Sequence, residues 1–408
     1  MSKNLLLAQS GGPTAAINAT AAGVIEAAMA NPEVDKIYAG FHGIQGVLDD
    51  NLIDVTERVK DLYDVATLCG TPGAAFGSCR LKLKDMEKNA DEFQKIVEVL
   101  RKREIAYFVY IGGNDSMDTV DKLSAYCKAQ GITDITVVGA PKTVDNDLVL
   151  TDHTPGFGSA AKYIAVTAAE LERDARVYPA KQVTILEVMG RDAGWLTAAS
   201  ALARANGASG PDLIYLCERP FDIDKFIADI EEVFTKKSSV LVAISEGIHD
   251  KDGKYISEMG GELKKDNFGH SYIAGSAKVL CDIVGERLSV KTRAIVPDYL
   301  QRCAGHIQSK TDIEESRMLG FTAAKAALKG DNGVMAAVIV DNRAPYTVHY
   351  ETVPVSKVAN AVKSVPDDYI AENGHDITQK MWDYLFPLIQ GEPDIEYKNG
   401  IPVHSIFY

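Results

Sequence analysis

Short apolar runs and longer amphipathic stretches take turns along this chain. Leu5 to Ala8 reads as a buried strand and Ala15 to Ala30 as an Ala-rich helix. Between residues 91 and 103, Phe93, Ile96, Val97 and Leu100 fall on one face at helical spacing, which predicts an amphipathic helix. An aromatic-rich strand, Ile105 to Ile111, follows, then a helix from Ser116 to Gln130 and a buried strand from Ile135 to Ala140 that Pro141 ends. The rhythm restarts with helix Ser159 to Arg176, strand Val183 to Val188, helix Ala193 to Ala205 and strand Leu213 to Leu216. Helix Phe226 to Phe234 and strand Val240 to Ser245 continue it. Residues 249–270, polar and Gly-rich, read as a loop or flap. Helix Glu314 to Leu328 and strand Val334 to Val340 come last, and the final stretch is less regular. Strands alternating with helices predict parallel sheets covered on both faces.

With 408 residues the chain is long enough for two domains. A hydrophobic content of 46% and a charged content of 25% are those of a soluble globular protein. The net charge of -14 argues against nucleic acid or an anionic membrane as the main partner, while leaving room for a local cationic cluster that binds phosphate. No apolar stretch approaches the ~20 residues of a membrane span. The N-terminal segment lacks the apolar core and cleavage site of a signal peptide. None of the six cysteines has C-x-x-C spacing, so neither a zinc site nor a redox pair is expected, and a reducing cytoplasm is.

In open parallel sheets, ligands bind beyond the carboxyl ends of the strands. Three polar loops follow predicted strands here: Gln9 to Thr14 with Gly11 and Gly12; Gly112, Gly113, Asn114, Asp115 and Ser116; and Pro141 to Asp147. The first two also open helices, whose N-terminal N–H groups and dipole favour an anion. Each loop alone is more often plain turn chemistry, at roughly two to one. Convergence on one edge changes that balance, because folding does not require it. The third loop adds Lys142, Thr143, Asp145 and Asp147: a cation for phosphate charge, a hydroxyl, a carboxylate that can take a proton, and a second one to orient a neighbour or hold a metal. Arg80 after Gly77-Ser78-Cys79, Met189-Gly190-Arg191, Glu246, Arg293, and the Tyr299 to Arg302 stretch supply further groups suited to a sugar phosphate. Singly, each is equally an ordinary surface residue.

Taken in order, Gly11-Gly12, Gly77 to Arg80, Gly112 to Ser116, Pro141 to Asp147, Met189 to Arg191, Ser245-Glu246-Gly247 and Tyr299 to Arg302 resemble the phosphofructokinase family, from about residue 3 to about residue 345. The chain looks like its pyrophosphate-dependent branch. The resemblance implies two doubly wound, mostly parallel α/β domains with the active site in the cleft between them. Residues 1–150 plus about 305–345 would bind pyrophosphate, and 151–304 plus about 346–408 the sugar phosphate. It implies reversible, Mg²⁺-dependent transfer from pyrophosphate to the 1-hydroxyl of fructose 6-phosphate in glycolysis and gluconeogenesis, by a homodimer or homotetramer.

In this reading Asp145 is the base, Thr143 positions the reacting groups, and Lys142 stabilises the leaving phosphate. Asp147 completes the catalytic set. Gly11, Gly12, Arg80, Gly113, Asp115 and Ser116 bind the donor. Thr143, Asp145, Met189, Gly190, Arg191, Glu246, Arg293, Tyr299 and Arg302 bind the sugar phosphate, with Arg293 reaching across a subunit contact. Relatives that use ATP have Gly at the positions of Lys142 and Asp115. A carboxylate ~4 Å from an ATP α-phosphate, at an effective dielectric of ~20, is repelled by roughly 4 kcal/mol, on the order of a thousandfold discrimination. The family's usual metal ligand, Asp, is replaced by Asn114, which makes Asn114 and Asp115 the expected and weakened metal pair. The competing readings are an ATP-dependent sugar-phosphate kinase and a non-catalytic regulatory paralogue. A nucleotide-binding oxidoreductase is weaker, since no G-x-G-x-x-G follows the first strand.

Overall fold

A computed structural model describes residues 3–84, 86, 89–260 and 275–407. The strands, in chain order, are β1 (Lys3–Gln9), β2 (Val34–Gly40), β3 (Leu52–Asp54), β4 (Ile105–Gly112), β5 (Thr136–Pro141), β6 (Gln182–Val188), β7 (Leu213–Tyr215), β8 (Ser239–Ser245), β9 (Lys291–Ile295), β10 (Val334–Arg343) and β11 (Tyr346–Pro354). They build the two larger sheets, one in each of two compact units, and Tyr397–Lys398 pairs with Ile401–Pro402 in a separate two-stranded sheet.

The first unit contains Met1–Ser159, Arg302–Val362 and Gln390–Tyr408. Its sheet has the order β11-β10-β5-β4-β1-β2-β3, parallel except for β3 against β2 and β11 against β10. Alternation along β1 shows why both faces are covered. Leu5 and Leu7 join a core with helices Ile17–Met29 and Lys310–Lys329, while Leu6 and Ala8 join another with helices Ala90–Lys102 and Asn114–Ala129. A two-sided core of this kind produces continuous apolar strands rather than alternating ones.

The second unit contains Ala160–Gln301 and Lys363–Ile389. Its parallel sheet has the order β7-β8-β6-β9. Val183, Ile185, Val240, Val242 and Ile244 pack with Phe226 and Ile230 of helix Ile223–Phe234 and with Leu280 and Val284 of helix Ser276–Leu288.

The periodic elements fall where the apolar pattern puts them, with three differences. The stretch Ala193 to Ala205 is a short helix, Trp195–Ala198, continued by a 3₁₀ segment, Ala199–Asn206. β2, β9, β11 and helix Ser276–Leu288 have no counterpart in the sequence reading; β9 is an exposed edge strand and lacks a buried face to mark it. Of the expected loop 249–270, the described part carries a bridge from His249 to Tyr255 and a 3₁₀ turn, Ile256–Gly260, and residues 261–270 lie outside the described residues.

The domain boundaries also differ from the expected ones. Residues 346–362 group with the first unit because β11 pairs with β10. Residues 390–408 group there too: the N–H groups of Lys310 and Thr311 donate to the Gly391 and Gln390 carbonyls, and the Ser405 N–H donates to Thr71 Oγ1.

Candidate active site

Strand register brings the three loops together. Gln9 pairs with Ile111 across β1 and β4, and Gly112 pairs with Pro141 across β4 and β5. The residues after Gln9, Gly112 and Pro141 therefore leave the sheet side by side. Two further contacts knit them. The Lys142 N–H donates to the Gly112 carbonyl (2.9 Å), and the Gly11 N–H donates to the Cys79 carbonyl (2.9 Å). A bridge between Ser10 and Cys79 brings in the segment that carries Arg80.

Cations gather on Gly11 and Gly12. Lys142 Nζ donates to the Gly12 carbonyl at 2.6 Å. A Cβ on Gly12 would lie 2.8 Å from Arg302 Nη1 and 3.8 Å from Arg80 Nη2; one on Gly11 would lie 3.1 Å from Lys142 Nζ. Gly11 has φ +77°, a left-handed conformation that glycine adopts freely. The glycines are therefore required twice, for the turn and for room beside three positive groups. Lys142 is buried, and burial drags its ammonium down to about 8; Arg302 and Arg80 push the same way, against Asp145 and Asp147. The sequence reading grouped Arg302 with the sugar phosphate. The structure places it at Gly12, with Arg80 and Lys142.

The loop that holds the carboxylates is fixed from behind. The Asp145 N–H donates to Thr143 Oγ1 (3.1 Å), and Thr154 Oγ1 donates to the Thr143 carbonyl (2.7 Å). Asn146 has φ +56° and is fully buried, so it turns the chain between Asp145 and Asp147. Next to Thr154, His153 lies in a buried ionic group. Its ring nitrogens meet Asp152 Oδ1 (3.0 Å) and Glu315 Oε2; Arg343 meets Asp152, and the Tyr346 hydroxyl donates to Glu315 Oε1 (2.9 Å). Burial alone would lower the His153 imidazole; Glu315 and Asp152 outweigh it and raise it to about 9. Thr154 and His153 escaped the sequence reading, although both lie in the Thr151 to Gly156 turn right after the recognised loop.

Helix Asn114–Ala129 starts with Gly113 as its N-cap and Ser116 buried in its first turn. Both polar atoms of the Asn114 side chain have partners. Its Oδ1 accepts the Asn360 N–H (2.5 Å) and its Nδ2 donates to the Ala361 carbonyl (2.6 Å). Asp115 pairs with Lys82 at 3.0 Å and is exposed. An exposed carboxylate acts through solvent, so its repulsion falls below the roughly 4 kcal/mol reckoned at an effective dielectric of ~20. Among the described residues no group of three or more His, Cys, Asp or Glu is arranged to hold a metal ion. A Mg²⁺ here fits one mode, arrival on the phosphates of the donor with one or two carboxylates completing its shell.

In the second unit, β6 and β8 run parallel with Val188 opposite Ser245, so Met189 to Arg191 and Glu246 leave the sheet together. The Gly190 N–H donates to Glu246 Oε1 (3.1 Å), and the Met189 N–H donates to Gln301 Oε1 (3.0 Å). Arg191 Nε is buried with no hydrogen-bond partner. Burial raises Glu246 to about 7, helped by Glu187 and Asp298 and opposed by the Gly190 N–H and Arg191. Glu187 is itself raised by burial, and it accepts the N–H groups of Gly275 (2.8 Å) and Ala277 (2.7 Å). Tyr299 is exposed, and Arg293 is half-exposed on β9, 4.0 Å from Asp174.

The chain is similar to known proteins over most of its length. The family model described as phosphofructokinase matches residues 4–327. The pyrophosphate–fructose 6-phosphate 1-phosphotransferase of Xanthomonas campestris pv. campestris is 43% identical over 98% of this chain and 94% of its own length. The enzyme of the same name from Halomonas elongata is 42% identical over the same shares. The crystal structure of a pyrophosphate-dependent phosphofructokinase from Nitrosospira multiformis superimposes with a TM-score of 0.88 at 40% identity, covering 99% of this chain and 96% of that one. The two-sheet α/β fold, the order of the motifs and the match over most of its length show that the chain belongs to the phosphofructokinase family.

Proposed function

We propose that this chain transfers a phosphoryl group reversibly between pyrophosphate and the 1-hydroxyl of fructose 6-phosphate, giving fructose 1,6-bisphosphate and phosphate. The observation that carries the proposal is the gathering of Lys142, Arg80 and Arg302 on Gly11 and Gly12, with Asp145 and Asp147 in the loop that bears Lys142. Such a cluster suits an anion as dense as pyrophosphate. The relatives named above as pyrophosphate-dependent enzymes support it.

In the forward direction the sugar O1 attacks the terminal phosphorus as the bridging P–O bond breaks. Its proton passes to an Asp145 carboxylate oxygen, and the bond electrons stay on the leaving phosphate. Lys142, Arg80 and Arg302 neutralise that charge, so positioning and electrostatics carry the catalysis. Mg²⁺, held by the pyrophosphate oxygens with Asp115 or Asp147, would neutralise further donor charge. Gly113 and Ser116 lie at the helix start, where an anion is favoured. Met189, Gly190, Arg191, Glu246 and Tyr299 bind the sugar phosphate. Arg293 reaches the site of a neighbouring subunit in a homodimer or homotetramer. Six free cysteines support a reducing cytoplasm, and the fructose 6-phosphate of the relatives' names supports a place in glycolysis and gluconeogenesis; among the described helices none is long and apolar enough to cross a membrane.

A coupled assay for fructose 1,6-bisphosphate, with pyrophosphate or ATP as donor, tests this. Turnover with pyrophosphate far above ATP is expected, with Asp145→Asn lowering kcat by about 10²–10⁴ at unchanged Tm. Equal rates with ATP, or an active Asp145→Asn variant, would remove the donor assignment or the base.

A further inference from the structure

We propose that the segment following β11 is a fixed wall that limits the donor to two phosphates. The idea rests on the pyrophosphate reading above and refines its donor specificity. The segment leaves the sheet at Pro354, and Val355 and Val358 are fully buried in the core beside helix Asn114–Ala129. Its backbone then lies on the first residue of that helix through both polar atoms of Asn114. Asn360, at φ +62°, adds a third tie, with its Nδ2 donating to Asp118 Oδ1 (3.1 Å). Asp118 Oδ2 accepts from Lys122 Nζ (2.6 Å), which also donates to the Leu83 carbonyl (3.0 Å).

The start of the helix is thus tied to two segments. Residues 82–83 reach it through Lys82–Asp115 and Lys122–Leu83, and residues 360–361 through Asn114 and Asp118. The two ends of the donor differ accordingly. The reacting end meets Lys142, Arg80 and Arg302. Two residues beyond Arg80, Lys82 is already paired with Asp115, and Asn114 beside it is covered by Asn360 and Ala361. A third phosphate, or a nucleoside attached there, would have to displace a tie in this ring. Asp115 is exposed, so solvent screens its charge, and the tethered segment, anchored by buried Val355 and Val358, is the larger barrier.

Inorganic tripolyphosphate separates the two barriers, because it is longer than pyrophosphate but carries no nucleoside. Transfer of its terminal phosphoryl group would release pyrophosphate, with the sugar proton again on Asp145. Asn114→Ala removes two ties, Asn360→Gly removes the third and keeps the left-handed backbone, and Asp115→Gly removes the charge together with the Lys82 tie. Initial rates are measured with pyrophosphate, tripolyphosphate and ATP. Hydrogen exchange at the Asn360 amide, the donor to Asn114, reports directly on release of the segment.

In Asn114→Ala we expect faster exchange at that amide and at least a tenfold rise in the tripolyphosphate-to-pyrophosphate ratio of kcat/KM. Asn360→Gly should give a smaller rise in the same direction, and Asp115→Gly alone less than threefold. An unchanged ratio with faster exchange would overturn the proposal, as would unchanged exchange, or a larger gain from Asp115→Gly than from Asn114→Ala. Failure of the unaltered protein to use pyrophosphate would instead strike the functional reading. The wall is then judged by thermal shift, tripolyphosphate stabilising Asn114→Ala more than the parent while pyrophosphate stabilises both alike.

Discussion

Replacing Lys142 with methionine should make the protein more stable and far less active. Its ammonium is buried and held at about 8, against an ordinary 10.5. At about 1.36 kcal/mol per pH unit, keeping that charge in place at pH 7 costs about 3 kcal/mol. Methionine has similar length and no charge to desolvate. It loses the bond to the Gly12 carbonyl, worth about 1 kcal/mol. The net gain is about 2 kcal/mol, roughly 4–8 °C in Tm for a unit of this size. Activity should fall about a hundredfold or more, the cost of removing a charge aimed at the developing phosphate.

The pH dependence supplies the sharper test. Between about 8 and 10.5 the unfolded chain binds the lysine proton more tightly than the folded one, so parent stability rises with pH across that window. The variant has no such group. Its advantage in Tm should be full below pH 8 and shrink towards pH 10.5, measured by scanning calorimetry in matched buffers. The kcat/KM of the parent for pyrophosphate should decline above pH 8 as the ammonium loses its proton. A variant that is less stable than the parent at pH 7, or a Tm gap that does not close with pH, would refute the claim that the ammonium is held at a cost.

Two further substitutions probe groups outside the donor cluster. His153→Gln leaves Glu315 buried without its cation, which should cost about 3 kcal/mol, while Asp152 keeps Arg343. Because His153 is raised to about 9, its contribution is complete below the ordinary value near 6.5 and is lost as pH rises through 9; urea midpoints at pH 6 and pH 9 should therefore differ by more in the parent than in the variant, and equal differences would place the charge elsewhere. Glu246, raised to about 7, accepts sugar hydroxyls best when ionised, so KM for fructose 6-phosphate should rise as pH falls below 7; Glu246→Gln should have a higher KM that no longer follows pH, and a persisting slope would assign it to another group.

The sequence disclosed the centre of the first sheet because β1, β4, β5 and the start of β10 are buried on both faces and appear as unbroken apolar runs, while β2, β3 and β11 towards its edges do not. β9 was hidden for the opposite reason: it is an edge strand with an exposed pattern, and only Arg293 drew attention to it. At the site, Asp145 and Lys142 were legible as chemistry, since a cation and two carboxylates after a buried strand have few structural uses. That Lys142 is buried was not legible, because the Gly11–Gly12 turn and the two arginines that crowd it come from distant parts of the chain. That Arg302 lies beside Gly12 was not legible for the same reason. Its neighbours in sequence, Tyr299 to Gln301, belong to the second unit, and it belongs to the first.

Asn114 shows how far a single residue type can mislead when its partners are unseen. Compared with the Asp usual at this position, it looks like a poorer metal ligand. In the folded chain its value is its amide nitrogen. A carboxylate could accept the Asn360 N–H but has no hydrogen to give the Ala361 carbonyl, so Asp at this position would leave that carbonyl facing a negative oxygen instead of a donor. The Gly113-Asn114-Asp115 sequence then has one physical reading. Asn114 fastens the segment after β11 to the helix, Asp115 fastens Lys82 to the same helix, and metal charge is left to arrive with the donor. Selection against a long donor and loss of a metal carboxylate thereby follow from the same exchange of one oxygen for an NH₂ group.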